Sequence, residues 1–308
     1  MTLNQLMYAI AVSKENSLNE AAKKLYISQP SLTGAMHALE NELGFDIFIR
    51  SKTGVTLTSK GQEFIGYARS VVEQYDILDA RFISKRGVKR VFSVSMQHYT
   101  FAVNAFIELA KEYGCDEYEF EVRETTTREV IDNVRNQSSE LGILYLNDFN
   151  SLVLSKVFSE AGVQFTPLFD CNIYAYISRN NPLAIEKLKT GEHVTLDELQ
   201  EYPCLGFAQG EYNSAYYSEE VLSTHEYKKF IRANDRATML NLIKGLNGYT
   251  LCSGILCEDL NGDDYCALKL DTEDKMTIGY ISRKNAILSD MGLKYIEEIS
   301  KYKDNILN

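Results

Sequence analysis

The chain has 308 residues, is 45% hydrophobic and carries a formal net charge of -11, which suits a soluble protein of two or three compact units. No long unbroken apolar run occurs, so a membrane-spanning helix is excluded, and the start Met1-Thr2-Leu3-Asn4-Gln5 has no basic leader, so a cytoplasmic protein is expected. The charge is uneven: residues 1–90 hold 12 Lys and Arg against 9 Asp and Glu, while the other 218 hold 20 against 34, a contrast that suits a nucleic-acid module joined to an acidic domain.

Leu3, Leu6, Met7, Ile10 and Ala11 recur at helical spacing and predict a first helix over residues 3–13, broken at Asn16 and Ser17. Ser17-Leu18-Asn19-Glu20 reads as a capping box for a second helix that reaches Tyr26 and buries Leu18, Ala21, Ala22 and Leu25. After a short turn at Ile27, Ser28 is a suitable N-cap for a third helix, with Pro30 in the first turn where a missing N–H costs nothing. Leu32, Ala35, Met36, Leu39 and Leu43 form its inward stripe, and Gln29, Ser31, Thr33, Gly34 and His37 face out. Glutamine can pair bidentately with adenine, and hydroxyls serve bases or phosphates. The free amides at the helix start attract a phosphate. Residues 46–57 read as a hairpin turning at Ser51 to Gly54, with Arg50 and Lys52 near its tip. Taken alone these are two solvated charges, but behind two helices and a turn they sit where a wing meets DNA. The order is that of a winged helix-turn-helix, which seats one helix in the major groove.

Thr58 or Ser59 caps the next helix. Phe64, Ala68, Val71, Tyr75, Leu78 and Phe82 follow at steps of four and three, an a/d seam. Such a stripe packs either on its own domain or on a second copy, and two copies would match a pseudo-palindromic operator. A basic linker, Lys85-Arg86-Gly87, ends it. The expected divisions are a DNA-binding domain over residues 1–58, a linker and dimerisation helix over 59–88, and an effector-binding domain over 89–308.

Several short strings now become specific. Leu6 and Ala11, Ser17-x-x-x-Ala21-Ala22-x-x-Leu25, Ile27-Ser28-Gln29-Pro30-Ser31-Leu32-Thr33, Leu39-Glu40-x-x-Leu43-Gly44, Phe48-x-Arg50 and Leu57-Thr58-x-x-Gly61 together resemble the N-terminal signature of LysR-type transcriptional regulators. Asn181-Pro182-Leu183 and the stretch 239–253 resemble that family's periplasmic-binding-protein-like effector domain more weakly. The resemblance implies a regulator that binds double-stranded DNA as a homodimer or homotetramer and senses a small molecule. It assigns operator contact to Gln29, Pro30, Ser31, Thr33 and Arg50, and with Ser28, His37 and Lys52 these make the candidate DNA-contacting set. Gly34 stands where relatives often carry Arg, which removes one contact and weakens the helix by roughly 1 kcal/mol against alanine.

From Lys89 the pattern alternates: strand 91–96, helix 99–113, strand 118–122, helix 127–137, strand 141–146. That order predicts a mainly parallel sheet with helices on both faces. A second such unit is expected over about 162–266, with the C-terminal helix at 290–302 packing back on the first, so lobe I spans about 89–161 and 267–308. Two lobes with two crossings suggest a hinge and a cleft. Ligands in open α/β sheets sit beyond the carboxyl ends of strands. The candidate effector residues are therefore Gln97, His98, Tyr99, Thr100, Thr126, Thr127, Phe207, Ala208 and Gln209. Helix starts with hydroxyls favour an anion or carboxylate. Thr126 and Thr127 equally suit plain capping, His98 a satisfied core position, and Tyr99, Tyr145 and Tyr249 core sites with a wet tip.

The six cysteines form no CxxC pair or zinc spacing, and no catalytic motif occurs, so no metal, cofactor or enzymatic activity is expected. The alternatives are a thiol-redox-sensing regulator, which would need two cysteines able to meet, and a small-molecule-binding protein without a DNA role, which leaves the first 90 residues without a purpose.

Overall fold

The structure is a computed structural model that describes residues 1–51, 54–79, 90–112, 117–255 and 257–305. The chain divides into two units, Met1–Lys89 and Arg90–Asn308.

In the first unit α1 (Leu3–Glu15) is capped by Thr2, with Gln5 answering reciprocally. Ser17 caps α2 (Leu18–Lys24) by accepting from the Glu20 amide. The expected capping box is only half used there, because the Glu20 carboxylate reaches Lys23 at 2.7 Å instead. A left-handed Tyr26 makes the turn, and the Ile27 amide returns to the Ala22 carbonyl. Ser28 then caps α3 (Gln29–Leu43), which buries Leu32, Met36 and Leu39. Strands β1 (Phe48–Ser51) and β2 (Gly54–Leu57) pair antiparallel. The Val55 amide bonds the Asn16 carbonyl, which ties the hairpin to the end of α1. Thr58 caps α4 (Ser59–Leu78) and also donates to the Asp46 carbonyl at 2.7 Å. Gly61 sits so close to the hairpin that an added Cβ would stand 2.0 Å from the Ile47 carbonyl oxygen.

The second unit runs β3 (Arg90–Met96), α5 (Thr100–Glu112), β4 (Tyr118–Glu124), α6 (Thr127–Arg135), β5 (Leu141–Leu146), α7 (Ser151–Ala161) and β6 (Val163–Asn172). It continues with β7 (Tyr174–Ser178), α8 (Pro182–Thr190), α9 (Leu196–Leu199), β8 (Cys204–Phe207), β9 (Phe230–Ala233), α10 (Arg236–Leu246), β10 (Tyr249–Cys252), α11 (Glu258–Asn261) and β11 (Tyr265–Lys269). The long β12 (Lys275–Arg283) and α12 (Asp290–Ser300) end it. Two five-stranded sheets result, in the orders β4-β3-β5-β12-β6 and β11-β7-β10-β8-β9. In the first, β3 is parallel to β4 and β5, whereas β12 is antiparallel to both of its neighbours.

The lobes divide later than the sequence suggests. Residues 163–172 belong to the first sheet because β6 pairs along its whole length with β12. Residues 265–269 belong to the second, because β11 pairs with β7. The chain thus crosses between lobes at Ile173 and between Lys269 and Lys275. These two crossings touch, with the Leu270 amide on the Ile173 carbonyl at 2.9 Å. Helix α12 packs on α5, and the buried Tyr295 hydroxyl donates to the Ala102 carbonyl.

Candidate functional site

On the first unit, the start of α3 is a polar, solvent-facing surface. Ser28, Gln29, Pro30, Ser31 and His37 are exposed and Thr33 is half-buried. The Ser28 and Ser31 hydroxyls pair at 2.7 Å, and Gln29 Nε2 donates to Thr33 Oγ1 at 3.1 Å, one turn on.

Arg50 is not a loose charge. Its Nη2 donates to Glu40 Oε2 at 2.9 Å, and its Nη1 meets His37 Nε2 at 2.6 Å. Glu40 is almost fully buried, and its other oxygen accepts the Ile47 and Phe48 amides at 3.0 and 3.2 Å. One carboxylate thus fastens the hairpin to α3 and aims Arg50 along the same face as His37. Glu40 was missed as a functional residue; an acidic residue on a helix looks like a solvated charge in sequence. Lys52 lies outside the described residues.

The proposed dimerisation stripe behaves in two halves. Phe64 packs edge-on to Phe45 at 6.4 Å, and Ala68 is buried within its own unit. Val71, Tyr75 and Leu78 are exposed, and Phe82 lies outside the described residues.

In the second unit the candidate loops converge where the lobes meet. Gln97 is buried after β3. Its Nε2 donates to Thr127 Oγ1 at 2.6 Å, and its Oε1 accepts from the Tyr99 hydroxyl and the Tyr145 amide. The His98 amide and Nδ1 both donate to Glu219 Oε2, at 2.9 and 2.8 Å. The His98 ring stacks on Phe207 with centroids 3.8 Å apart. Gln209 joins the lobes by its Oε1, which accepts the Thr127 amide at 3.0 Å, while its Nε2 donates within its own connection to Glu219 Oε1 at 2.8 Å. Thr100 Oγ1 meets Arg236 Nη1 and Asn261 Nδ2, and Arg236 Nη2 pairs with Glu124.

Two of the candidate residues do other work. Thr126 caps α6 in a box with Glu129. The Ala208 amide bonds the Ala233 carbonyl, continuing the β8–β9 ladder. Sequence reading missed Glu219, Glu220 and Tyr217, because nothing in the stretch 210–229 assigns it to an element, and it missed Arg236 because a basic residue opening a helix looks like a solvated charge.

Burial and charge set the electrostatics. Burial alone would lower the His98 pKa; the Glu219 carboxylate, through its hydrogen bond and charge, overcomes this and raises it. Glu220 is buried beside Glu219, and desolvation, with that neighbouring charge, pushes its carboxyl up to about 7. It accepts the Phe207 amide at 2.8 Å and the Ser218 hydroxyl at 3.0 Å. A cavity of about 210 Å³ opens alongside, lined by Phe207, Gln209, Ser218, Glu220 and Arg232 among others. Four cysteines are pushed the wrong way for thiolate chemistry: burial raises Cys171 and Cys204 to about 12 and Cys252 to about 11, and it raises Cys266 as well. Among the described residues no His, Cys, Asp or Glu cluster could hold a metal, and no helix is long and apolar enough to cross a membrane.

Residues 3–62 match the family described as bacterial regulatory helix-turn-helix protein, lysR family, and residues 87–299 match the LysR substrate binding domain. The chain belongs to the LysR family. This LysR-type transcriptional regulator thus combines a DNA-binding helix-turn-helix with an effector-binding domain. It is 25% identical over 297 residues to the uncharacterized HTH-type transcriptional regulator YbhD of Escherichia coli, covering 93% of this chain and 87% of that protein. It is 44% identical to the HTH-type transcriptional regulator TfdS of Cupriavidus pinatubonensis over 73 residues, 24% of this chain and 25% of that one. Its fold is similar to a full-length OxyR variant from Pseudomonas aeruginosa, with TM-score 0.62 and 20% identity over 98% of this chain and 94% of that one. Full-length CbnR complexed with its target DNA is also similar in fold, with TM-score 0.54 and 20% identity over 98% of this chain and 99% of that one.

Proposed function

We propose that this regulator acts in the cytoplasm and reads a pseudo-palindromic operator with two copies of α3. In this reading Gln29, Ser31 and Thr33 face base edges, Ser28 and the first amides of α3 take a phosphate, and Arg50 anchors the wing on the backbone. The observation that carries it is the Arg50–Glu40 contact, which holds a cation beside His37, on the helix whose exposed start carries Gln29 and Ser31. The exposed Val71, Tyr75 and Leu78 of α4 supply the apolar surface for pairing into a homodimer, from which a homotetramer is assembled. A small molecule acting at the junction of the two lobes changes how they close, and closure changes how the paired heads meet DNA. The raised thiol pKa values weigh against peroxide sensing by Cys171 and Cys204.

Footprinting of the full chain on duplex fragments flanking its own coding region tests this. The expected result is protection of two half-sites related by a two-fold axis, with affinity falling steeply as salt rises. Absence of any sequence-dependent protection in dilute buffer, with and without added cell extract, would overturn the reading.

A further inference from the structure

The connection between β8 and β9 leaves the second sheet and lies against the first lobe, where it makes the contacts expected of a bound ligand. We propose that Glu219 is a tethered ligand: its carboxylate fills, in cis, a carboxylate-binding site that the two lobes build between them. His98 supplies its amide and Nδ1 from the first lobe, and Gln209 supplies Nε2 from the second. The Phe207 ring covers the face of the His98 imidazole. Both partners are almost fully enclosed, with side-chain exposures of 8% for His98 and 4% for Glu219. A carboxylate is stable in such a place only when charged or polar donors meet both of its oxygens, and here they do.

The flanking residues behave the same way. Thr127 Oγ1 donates to the Tyr217 carbonyl at 2.7 Å, and the Tyr145 hydroxyl donates to the Ser218 and Glu220 carbonyls. Tyr216 stacks on Phe149 with centroids 4.6 Å apart. The segment thus binds the end of β5 and also the end of β3 and the start of α6, two of the places where an outside anion was expected. A tethered group competes at a high effective concentration. A free carboxylate therefore gains this site only when the Glu219 side chain is removed or displaced. The effector-sensing reading gives the inference its regulatory meaning, but the site itself is tested without DNA.

The experiment is thermal unfolding of the full chain in acetate and in chloride at matched ionic strength. Wild type should unfold at the same temperature in both salts. Glu219→Ala should unfold a few degrees lower in chloride, and acetate should restore most of the loss saturably. The double variant H98A/E219A should show no restoration. An undiminished midpoint in Glu219→Ala, no saturable acetate response, or an equal response in wild type would each overturn the proposal. Should Glu219→Ala not fold, Glu219→Gln keeps the shape, and NMR titration of the His98 imidazole decides. A midpoint lower than in wild type supports the assignment, and an unchanged one refutes it.

Discussion

Arg50 on the hairpin and Glu40 on the third helix are bound to each other at 2.9 Å, with Glu40 buried and Arg50 open to solvent. Removing Glu40 takes away the carboxylate that holds the hairpin on the helix. Glu40→Ala also strands the Ile47 and Phe48 amides. It is expected to destabilise the N-terminal unit by about 3 kcal/mol, measured by denaturant unfolding of the full chain. A loss below about 1 kcal/mol would show that this contact is not structural.

Arg50→Ala acts at the other end of the same contact. It should weaken DNA binding about equally on all sequences and reduce the slope of log affinity against log salt by about 1. Gln29→Ala should instead relax base preference at one position while leaving the salt slope in place. Binding titrations over a salt series on operator and scrambled duplexes separate the two effects. If both variants behave like wild type, these roles are wrongly assigned.

Gly61→Ala should be severe. The added methyl carbon would overlap the Ile47 backbone, 2.0 Å from its oxygen and 2.8 Å from its carbonyl carbon. Backbone cannot swing away as a side chain can, so a cost of about 3 kcal/mol is expected. A thermal midpoint equal to that of wild type would show that the α4–hairpin junction is looser than described.

The exposed half of α4 should govern self-association. Val71 and Leu78 are 51% and 55% exposed within one chain. Replacing both with glutamate should weaken pairing by about 100-fold, since two buried aliphatic anchors carry a few kcal/mol. Sedimentation velocity over a concentration series reads the change. An unaltered distribution would move the dimer contact elsewhere.

Loss of protons from the lobe junction should make stability fall as pH rises. Glu220 ionises at about 7 in the fold against an ordinary 4.5, so the folded protein holds that proton more tightly than the unfolded chain. Its stabilising effect is full in acid and is lost between about pH 4.5 and 7, a span worth about 3 kcal/mol. His98 acts in the same direction: its raised pKa stabilises the fold below 6.5 and the gain fades above that. The lowered carboxyls Glu129 and Asp235 act at more acid pH. Calorimetry should find the effector unit melting lower at pH 8 than at pH 5, with a shallower slope in Glu220→Gln. A flat profile in wild type would contradict this account.

Much of the molecule is written in short-range pattern. The caps at Ser17, Ser28 and Thr58, the stripe Leu32-Met36-Leu39 and the left-handed stop at Gly44 act within a turn or two of chain. Period and capping chemistry therefore reveal the winged module and the alternation of strand and helix from β3 to β5. The family-specific strings cluster there for the same reason, since the helix-turn-helix is defined by these local caps and stripes.

What sequence alone determined is the order of elements, the kind of fold and the residues that face out from α3. What only the tertiary structure decided is which distant groups meet. Glu40 looks like any helical acid until the hairpin folds over it, and Glu219 looks like a loop acid until His98 approaches from 121 residues away. The strand order shows the same limit, because β12 joins β5 and β6 across more than 100 residues and turns a parallel sheet into a mixed one. Periodicity and capping are local terms in the free energy, and they can be read along the chain. Burial of a charge depends on what closes over it, and that is settled only when separate segments have packed.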